Sequence, residues 1–425
     1  MAQPHPLLYF LVGPSDGEMP DTASFKPLKL TDVSIASGCA CKAATVHLGS
    51  STFKTPIRAL GAAKSSAAES KIVTTPTLRG LNEVYRRVSP EAVDSIDGDS
   101  ESQRRFQSEL VPGYLRERLD KEGLLVVLSL EARTKGEGWD TWIPTKKQTE
   151  FLAYFLSGVP YNHIVVPPIL RGVEGEVYLK FLRSFFDVLP SLRRTTLAGL
   201  IPGASNREIS GILDFYMEKG LNAFVVDFEG KSPLSNWSLL PHLSSFFWKV
   251  ADEHGSYFAH AINAKHRMRR DPAGVVPARD ILLYYETFDS VGGVHTIPVW
   301  NKEFRDKVQS GQLRPAVPRL LDPTIYGYRF LQHPKAEISS AAAALGLSAE
   351  IKSLSASVPE AKVADLLNAA TVGRETRSID RHIRDGNELS YLQSKTAVGK
   401  ELGKVRKMKA AFGPSLRDSS IDDFI

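Results

Sequence analysis

Six short apolar runs recur along the middle of the chain, at Leu124–Leu130, His163–Leu170, Thr196–Ile201, Ala223–Phe228, Tyr257–Asn263 and Thr287–Val294. Between them lie stretches of helical length and apolar spacing, such as Arg207–Lys219 and Leu234–Glu253. Strand-length runs alternating with amphipathic helices predict a parallel sheet, and six such units favour closure into a barrel. The predicted fold is α/β, a TIM-type (β/α)8 barrel with a β-rich N-terminal segment and a helical C-terminal region.

The flanking pattern sets the boundaries. Residues 1–60 read as a β-rich segment, with Leu7–Val12, Ala44–Leu48 and Ser51–Ile57 separated by turns, able to close one end of a barrel. Residues 61–335 are assigned to the barrel. Ala59–Ser70 is rich in Ala and Ser and says little, whereas Ser89–Ser102 carries five acids among few apolar residues and reads as an exposed loop. Ile325–Leu331, after the Pro-rich Leu313–Pro323, is a candidate later barrel strand. Residues 336–412 read as basic and helical, interrupted at Ser355–Pro359 and Gly386, and 413–425 as a disordered tail.

Bulk properties narrow the class. The 425 residues, 42% hydrophobic and 24% charged, suffice for a large core. Cys39 and Cys41 are too few and too close for a disulfide framework, which favours an intracellular, cytoplasmic location. Leu7–Val12 is far shorter than the ~20 residues that span a bilayer, so no membrane association is expected. The net charge of +5 admits a polyanionic partner without demonstrating one. Ten Lys or Arg stand against five acids between Thr371 and Ala410, including Arg377, Arg381 and Arg384, so this region alone matches the net charge of the chain. It reads either as a nucleic-acid surface or as a solvated helix face.

Candidate chemistry lies near the predicted strand ends, at Glu131, Asp227, Glu229 and Asp289. In a barrel such ends converge on one face, where carboxylates can divide the roles of nucleophile and acid/base at an anomeric carbon. Glu229, before Gly230-Lys231, equally suits a helix start. The loop Lys265-His266-Arg267-Met268-Arg269-Arg270 would lie on that face and could neutralise phosphates through Lys265, Arg267, Arg269 and Arg270. Gly203, in the turn Ile201-Pro202-Gly203-Ala204, and Ser290, Gly292, Gly293 and His295 are candidate substrate contacts, His295 being equally readable as structural. Cys39-Ala40-Cys41 with His47 lacks the remaining ligands of a zinc site, and no metal is expected.

Three passages resemble the tRNA-guanine transglycosylases and the related 7-deazaguanine DNA transglycosylases. His47 to Ile57, with its Thr55-Pro56, is similar to that family's opening hairpin, and Leu197–Gly203 followed by Glu218–Val226 to its central strand–turn–helix–strand passage. Phe288-Asp289-Ser290 is similar to the Phe-Asp-Cys or Phe-Asp-Ser in which the family's aspartate attacks the sugar C1′. The resemblance implies that Asp289 is the nucleophile, that Glu131 takes the place of a base-binding and proton-transferring aspartate, and that guanine is replaced by a 7-deazaguanine-type base. Glu131 or Asp227 would handle the proton. It implies nucleic acid and a free modified base as partners and no cofactor, and leaves a homodimer open; the absence of the zinc site and of an extra RNA-binding domain leans the reading towards DNA over tRNA. The family's base-recognising aspartate is absent from Val165-Val166-Pro167-Pro168, its Gln is replaced by Pro202, its Gly-Gly by Val226-Asp227, and its multi-cysteine zinc site is missing. A non-catalytic nucleic-acid-binding paralogue or partner subunit, and an unrelated barrel hydrolase, therefore stand as alternatives. Ile421 and Phe424 resemble a degenerate sliding-clamp-binding tail.

Overall fold

The computed structural model describes residues 27–61, 78–111, 115–134, 138–140, 142–188, 196–203, 206–233, 239–265, 274–295, 318–354 and 358–411. Leu7–Val12, Arg267, Arg269, Arg270, Ile421, Phe424 and the 413–425 tail lie outside them.

The chain enters through an antiparallel meander of β1 (Lys29–Ile35), β2 (Lys42–Leu48) and β3 (Ser51–Thr55). Alternating burial along β3 puts Phe53 inside and Lys54 in water. Gly49, at φ +59°, is the first of the two residues joining β2 to β3, the position where tight hairpins need a left-handed conformation. The main body consists of two open parallel sheets. One runs β5 (Leu60–Gly61), β6 (Leu81–Val88), β7 (Gly123–Leu130), β10 (His163–Val165), β12 (Thr196–Leu197), with β11 (Ile169–Leu170) also on β7. The other runs β4 (Ile57–Arg58), β17 (Ser290–Val291), β15 (Phe258–Ile262), β14 (Ala223–Asp227), β13 (Gly199–Ile201). The two sheets abut twice along the chain. Ala59 alone separates β4 from β5 and donates its N–H to Val291 O at 3.0 Å; Ala198 alone separates β12 from β13 and donates to Val165 O at 2.9 Å.

Burial on both faces explains the near-continuous apolar runs, every residue of β7, β14 and β15 being buried. Helices follow the strands: α1 (Pro90–Gly98), α2 (Ser100–Leu110), α3 (Arg116–Leu119), α4 (Lys146–Ser157), α5 (Gly175–Val188), α6 (Asn206–Glu218) and α7 (Leu239–His254). The acidic stretch expected as a loop is helical, because Ser89 and Asp99 cap α1 and α2 and Val93, Ile96 and Leu110 turn inward. Thr145 and Gln148 form a capping box on α4. A small two-stranded ribbon pairs β8 (Ala132–Thr134) with β9 (Gly138–Asp140).

The candidate later barrel strand is a different element. Gly327–Phe330 is β19, paired antiparallel with β16 (Val275–Pro277) on one side and β18 (Arg319–Asp322) on the other. The four-residue turn before it, in which Tyr326 takes φ +55°, folds the strand back on β18 and leaves no crossover helix to make it parallel. The C-terminal region comprises α8 (Pro334–Leu345), α9 (Ser348–Leu354), α10 (Glu360–Arg384), α11 (Glu388–Gln393) and α12 (Leu402–Ala411), and α10 packs across β1, β2, β4 and β18. Tyr326 and Tyr391 both donate to Glu375 Oε1, at 2.6 and 2.5 Å, fastening α10 to the sheet.

Candidate active site

At the C-terminal ends of the parallel strands one guanidinium gathers three carboxylates. Arg171 follows β11, and its Nη2 lies 3.0 Å from Asp227 Oδ2, its Nη1 3.8 Å from Glu229 Oε1 and its Nε 4.0 Å from Glu131 Oε1. It also donates to the Tyr85 hydroxyl at 3.1 Å. Glu131 is the residue after β7; its Oε1 accepts from Ser129 Oγ at 2.7 Å and its Oε2 lies 3.4 Å from Arg87 Nε. Asp227 ends β14, its Oδ1 accepting from Asn263 Nδ2 and Glu229 N, both at 2.8 Å. Burial pushes the Asp227 carboxyl above its ordinary range, and the Arg171 charge opposes it. Burial works against the Arg171 charge, yet Asp227, Tyr85 and Glu229 hold its affinity for the proton above normal. Glu229 and Asn263 both take left-handed backbones, φ +53° and +57°, strain that gathers where strands end in a site. Gly203 belongs to this cluster: a Cβ there would stand 2.9 Å from the Glu229 side chain and 3.0 Å from Asp227 O.

A second, wholly buried group adjoins it. Glu83 on β6 receives His260 Nε2 at 2.6 Å on Oε2, while its Oε1 contacts His295 Nε2 and accepts from Gly293 N at 2.9 Å. Burial pushes this carboxyl up, but the adjoining His295 and the hydrogen bonds from both imidazoles prevail and hold it far below the usual carboxylate range. The His295 ring stacks on Tyr85, centroids 4.4 Å apart and planes 5° from parallel. His295 N donates to Asn263 Oδ1 at 2.6 Å, and Arg87 Nη2 donates to His295 O at 2.5 Å. Tyr85, Arg87 and Asn263 thus touch both groups. Gly292 and Gly293, expected as substrate contacts, are required by packing: a Cβ on Gly292 would fall 1.6 Å from Glu83 Oε2, and one on Gly293 2.8 Å from the His295 ring.

Asp289 does not share this face, which corrects the expectation of a single carboxylate cluster. It precedes β17, and its N–H bonds Ala259 O, placing it beside the second residue of β15. Ala259 pairs with Phe224, three residues before Asp227. At ~3.3 Å per residue Asp289 sits about 10 Å nearer the strand N-termini than Asp227. Its oxygens are engaged, Oδ2 by Lys42 Nζ at 2.5 Å and Ala259 N at 2.9 Å, Oδ1 by Thr55 Oγ1 at 3.4 Å. The Lys42 ammonium also lies 3.4 Å from the Tyr257 ring centroid. Burial raises the Asp289 carboxyl and lowers Lys42, each against the attraction of the other. Ser290 is buried, its hydroxyl unpartnered among the described residues.

The basic helix is placed elsewhere again. Arg377, Arg381 and Arg384 of α10 line a cleft of about 940 Å³ with Lys54, Arg79 and Lys121. Pro56, Gly80 and Glu122 on its wall precede β4, β6 and β7, so it opens at the strand N-termini, opposite Arg171. Lys265, two residues beyond Asn263 and half-buried, lies on the Arg171 side. Sequence reasoning missed Glu83, Arg87, Arg171 and His260. A histidine inside an apolar run, and an arginine directly after Leu170, were the available signals.

Among the described residues no group of three or more His, Cys, Asp or Glu could hold a metal ion, and no helix is long and apolar enough to cross a membrane. No protein-family model matches the chain, and no curated protein matches it.

Proposed function

We propose that the chain is a (β/α)8-type barrel enzyme acting at a glycosidic carbon of nucleic acid, exchanging a guanine for a 7-deazaguanine-type base at the face around Arg171. Counting β4 with β5, β10 with β11 and β12 with β13, the parallel strands number eight, and the single-residue breaks at Ala59 and Ala198, both hydrogen-bonded to a neighbouring strand, support joining the two sheets into one barrel. The observation that carries the functional reading is the bridging of Glu131, Asp227 and Glu229 by Arg171 at the strand C-termini, where barrel enzymes do their chemistry. Glu131, flanked by Arg87 and Arg171, supplies the anion that meets the positively charged sugar carbon. Asp227, whose carboxyl burial favours in the protonated form, exchanges the proton. The choice of guanine rests on the three family-like passages. Asp289, the nucleophile by that resemblance, has in this reading the role of a structural ion pair.

The test is incubation with labelled guanine and either tRNA or duplex DNA, scored by incorporation. Incorporation lost in Glu131→Gln and Asp227→Asn supports the reading. A folded protein that exchanges into neither nucleic acid sinks it. A second reading, a nucleic-acid-binding protein without turnover, is favoured by the cleft at Arg377, Arg381 and Arg384 on the opposite face, and is supported by nucleic-acid binding in a folded, unsubstituted protein that shows no exchange.

A further inference from the structure

Glu83, His260 and His295 form a cluster that no step above uses. Both imidazoles turn Nε2 to the one carboxylate, and both Nδ1 atoms are buried with no hydrogen-bond partner among the described residues. A buried nitrogen without a partner is unfavourable, so Nδ1 of His295, whose ring stacks on Tyr85 beside the Arg171 face, points to a polar atom brought by a ligand. The surroundings fix the rings: Tyr85 lies flat against His295, and Asn263 and Arg87 hold its backbone on both sides. Side chains at 292 and 293 would displace Glu83 or His295, so both positions are glycine.

We propose that His295 is a proton-transfer residue of this site, acting through Nδ1, with Glu83 as the positioning residue that holds its Nε2–H. The proposal rests on the reading of the Arg171 face as the reaction centre and deepens it by separating the acceptor of the incoming base's proton, His295, from the donor to the leaving base, Asp227. When the C1′–N bond to the leaving base breaks, its electron pair goes to that base nitrogen, which takes a proton from Asp227. When the incoming base forms its C1′–N bond, its N–H bond breaks and the proton passes to His295 Nδ1. The imidazolium so formed lies against the Glu83 carboxylate, as a carboxylate–imidazole dyad requires. Loss of this proton from His295 and gain of one by Asp227 before the next turnover reset the site. His260, on the other oxygen, keeps Glu83 from rotating away.

The experiment has two arms on the full chain. Nitrogen-15 histidine spectra between about pH 5 and 9 identify which ring nitrogen titrates. His295 is expected to gain and lose its proton at Nδ1 while Nε2 stays protonated, and Glu83→Gln is expected to abolish that preference. Titration at Nε2 in the unsubstituted protein overturns the proposal whether or not turnover is found. In the exchange assay His295→Gln is expected to lower kcat roughly 10²–10⁴-fold, to leave KM within about threefold and to remove one limb of the pH profile. His260→Gln is expected to retain that limb. An unchanged kcat and profile in His295→Gln overturns the proposal. Nδ1 titration in a protein without exchange refutes the base-exchange reading and leaves the Glu83–His295 dyad standing.

Discussion

Lys42 and Asp289 form a buried ion pair, Nζ to Oδ2 2.5 Å, that ties the second strand of the N-terminal meander to the residue preceding the last parallel strand. Because Thr55 and Ala259 complete the carboxylate's bonds, the pair is a local network across four chain segments. Removing one partner strands the other charge in the interior. Lys42→Met alone, or Asp289→Leu alone, is expected to cost about 3–5 kcal/mol in urea unfolding, and the double variant markedly less than the sum. Asp289→Asn separates the two roles. A structural aspartate gives a destabilised protein, whereas a variant as stable as the parent that has lost base exchange would restore the nucleophile expected from Phe288-Asp289-Ser290.

Gly292 lies where a Cβ would meet Glu83 Oε2 at 1.6 Å, in a part of the core where neither group has room to move. Gly292→Ala is expected to lower stability by at least about 2 kcal/mol, the range of overpacked interiors. Gly403, inside α12 with nothing within 4 Å of its would-be Cβ, is the control; Gly403→Ala is expected to be neutral or to stabilise by up to ~1 kcal/mol. Equal effects at both sites in denaturation curves would refute the packing account.

Glu286 supplies a pH dependence. It is fully buried, neither oxygen has a hydrogen-bond partner among the described residues, and burial followed by the nearby Glu401 raises its carboxyl from 4.5 to about 8. A group whose affinity for the proton is higher folded than unfolded stabilises fully below the unfolded value and ceases to as pH rises through the folded one. Stability is therefore expected to decline between pH 4.5 and about 8. Glu286→Gln should remove much of that decline, matching the parent near pH 4 and exceeding it by roughly 2–4 kcal/mol above pH 8. Parallel pH–stability curves for the two proteins would refute it.

The cleft at Arg377 and Arg381 yields a salt-dependence prediction. If nucleic acid occupies it, Arg381→Glu and Lys121→Glu should weaken binding across all sequences and reduce the log–log salt slope by about one for each phosphate no longer neutralised. Carboxylate substitutions at the other end of the strands should leave the slope unchanged. Binding by fluorescence anisotropy that responds only to the latter would empty the cleft of this role.

Periodicity located β7, β14 and β15 nearly to the residue because these strands are buried on both faces and carry few polar side chains. It missed β6, where Asn82, Glu83, Arg86 and Arg87 interrupt the pattern. Asn82 donates to Glu122 and Glu83 bonds His260 and His295, partners 40, 177 and 212 residues away, so nothing local marks those positions as internal. The run Thr287–Val294 shrinks to Ser290–Val291, since Thr287 takes φ +93°. That shortening put Asp289 before the strand, not at its end. Glu131 and Asp227 were legible because each directly follows or ends an apolar run. Arg171, which binds them together, also directly follows an apolar run, but Pro167-Pro168 divides that run into β10 and β11, so the pattern does not fix where its side chain points.

Gly38 N donates to Glu388 Oε1 at 2.8 Å, Lys409 Nζ to Ala36 O at 2.8 Å, and between these anchors Cys39 and Cys41 are sealed from solvent. The two thiols are thereby built-in reporters of docking. While the last helices hold, they stay hidden from alkylating reagents, and the rate at which they are labelled measures how often that end of the molecule lifts.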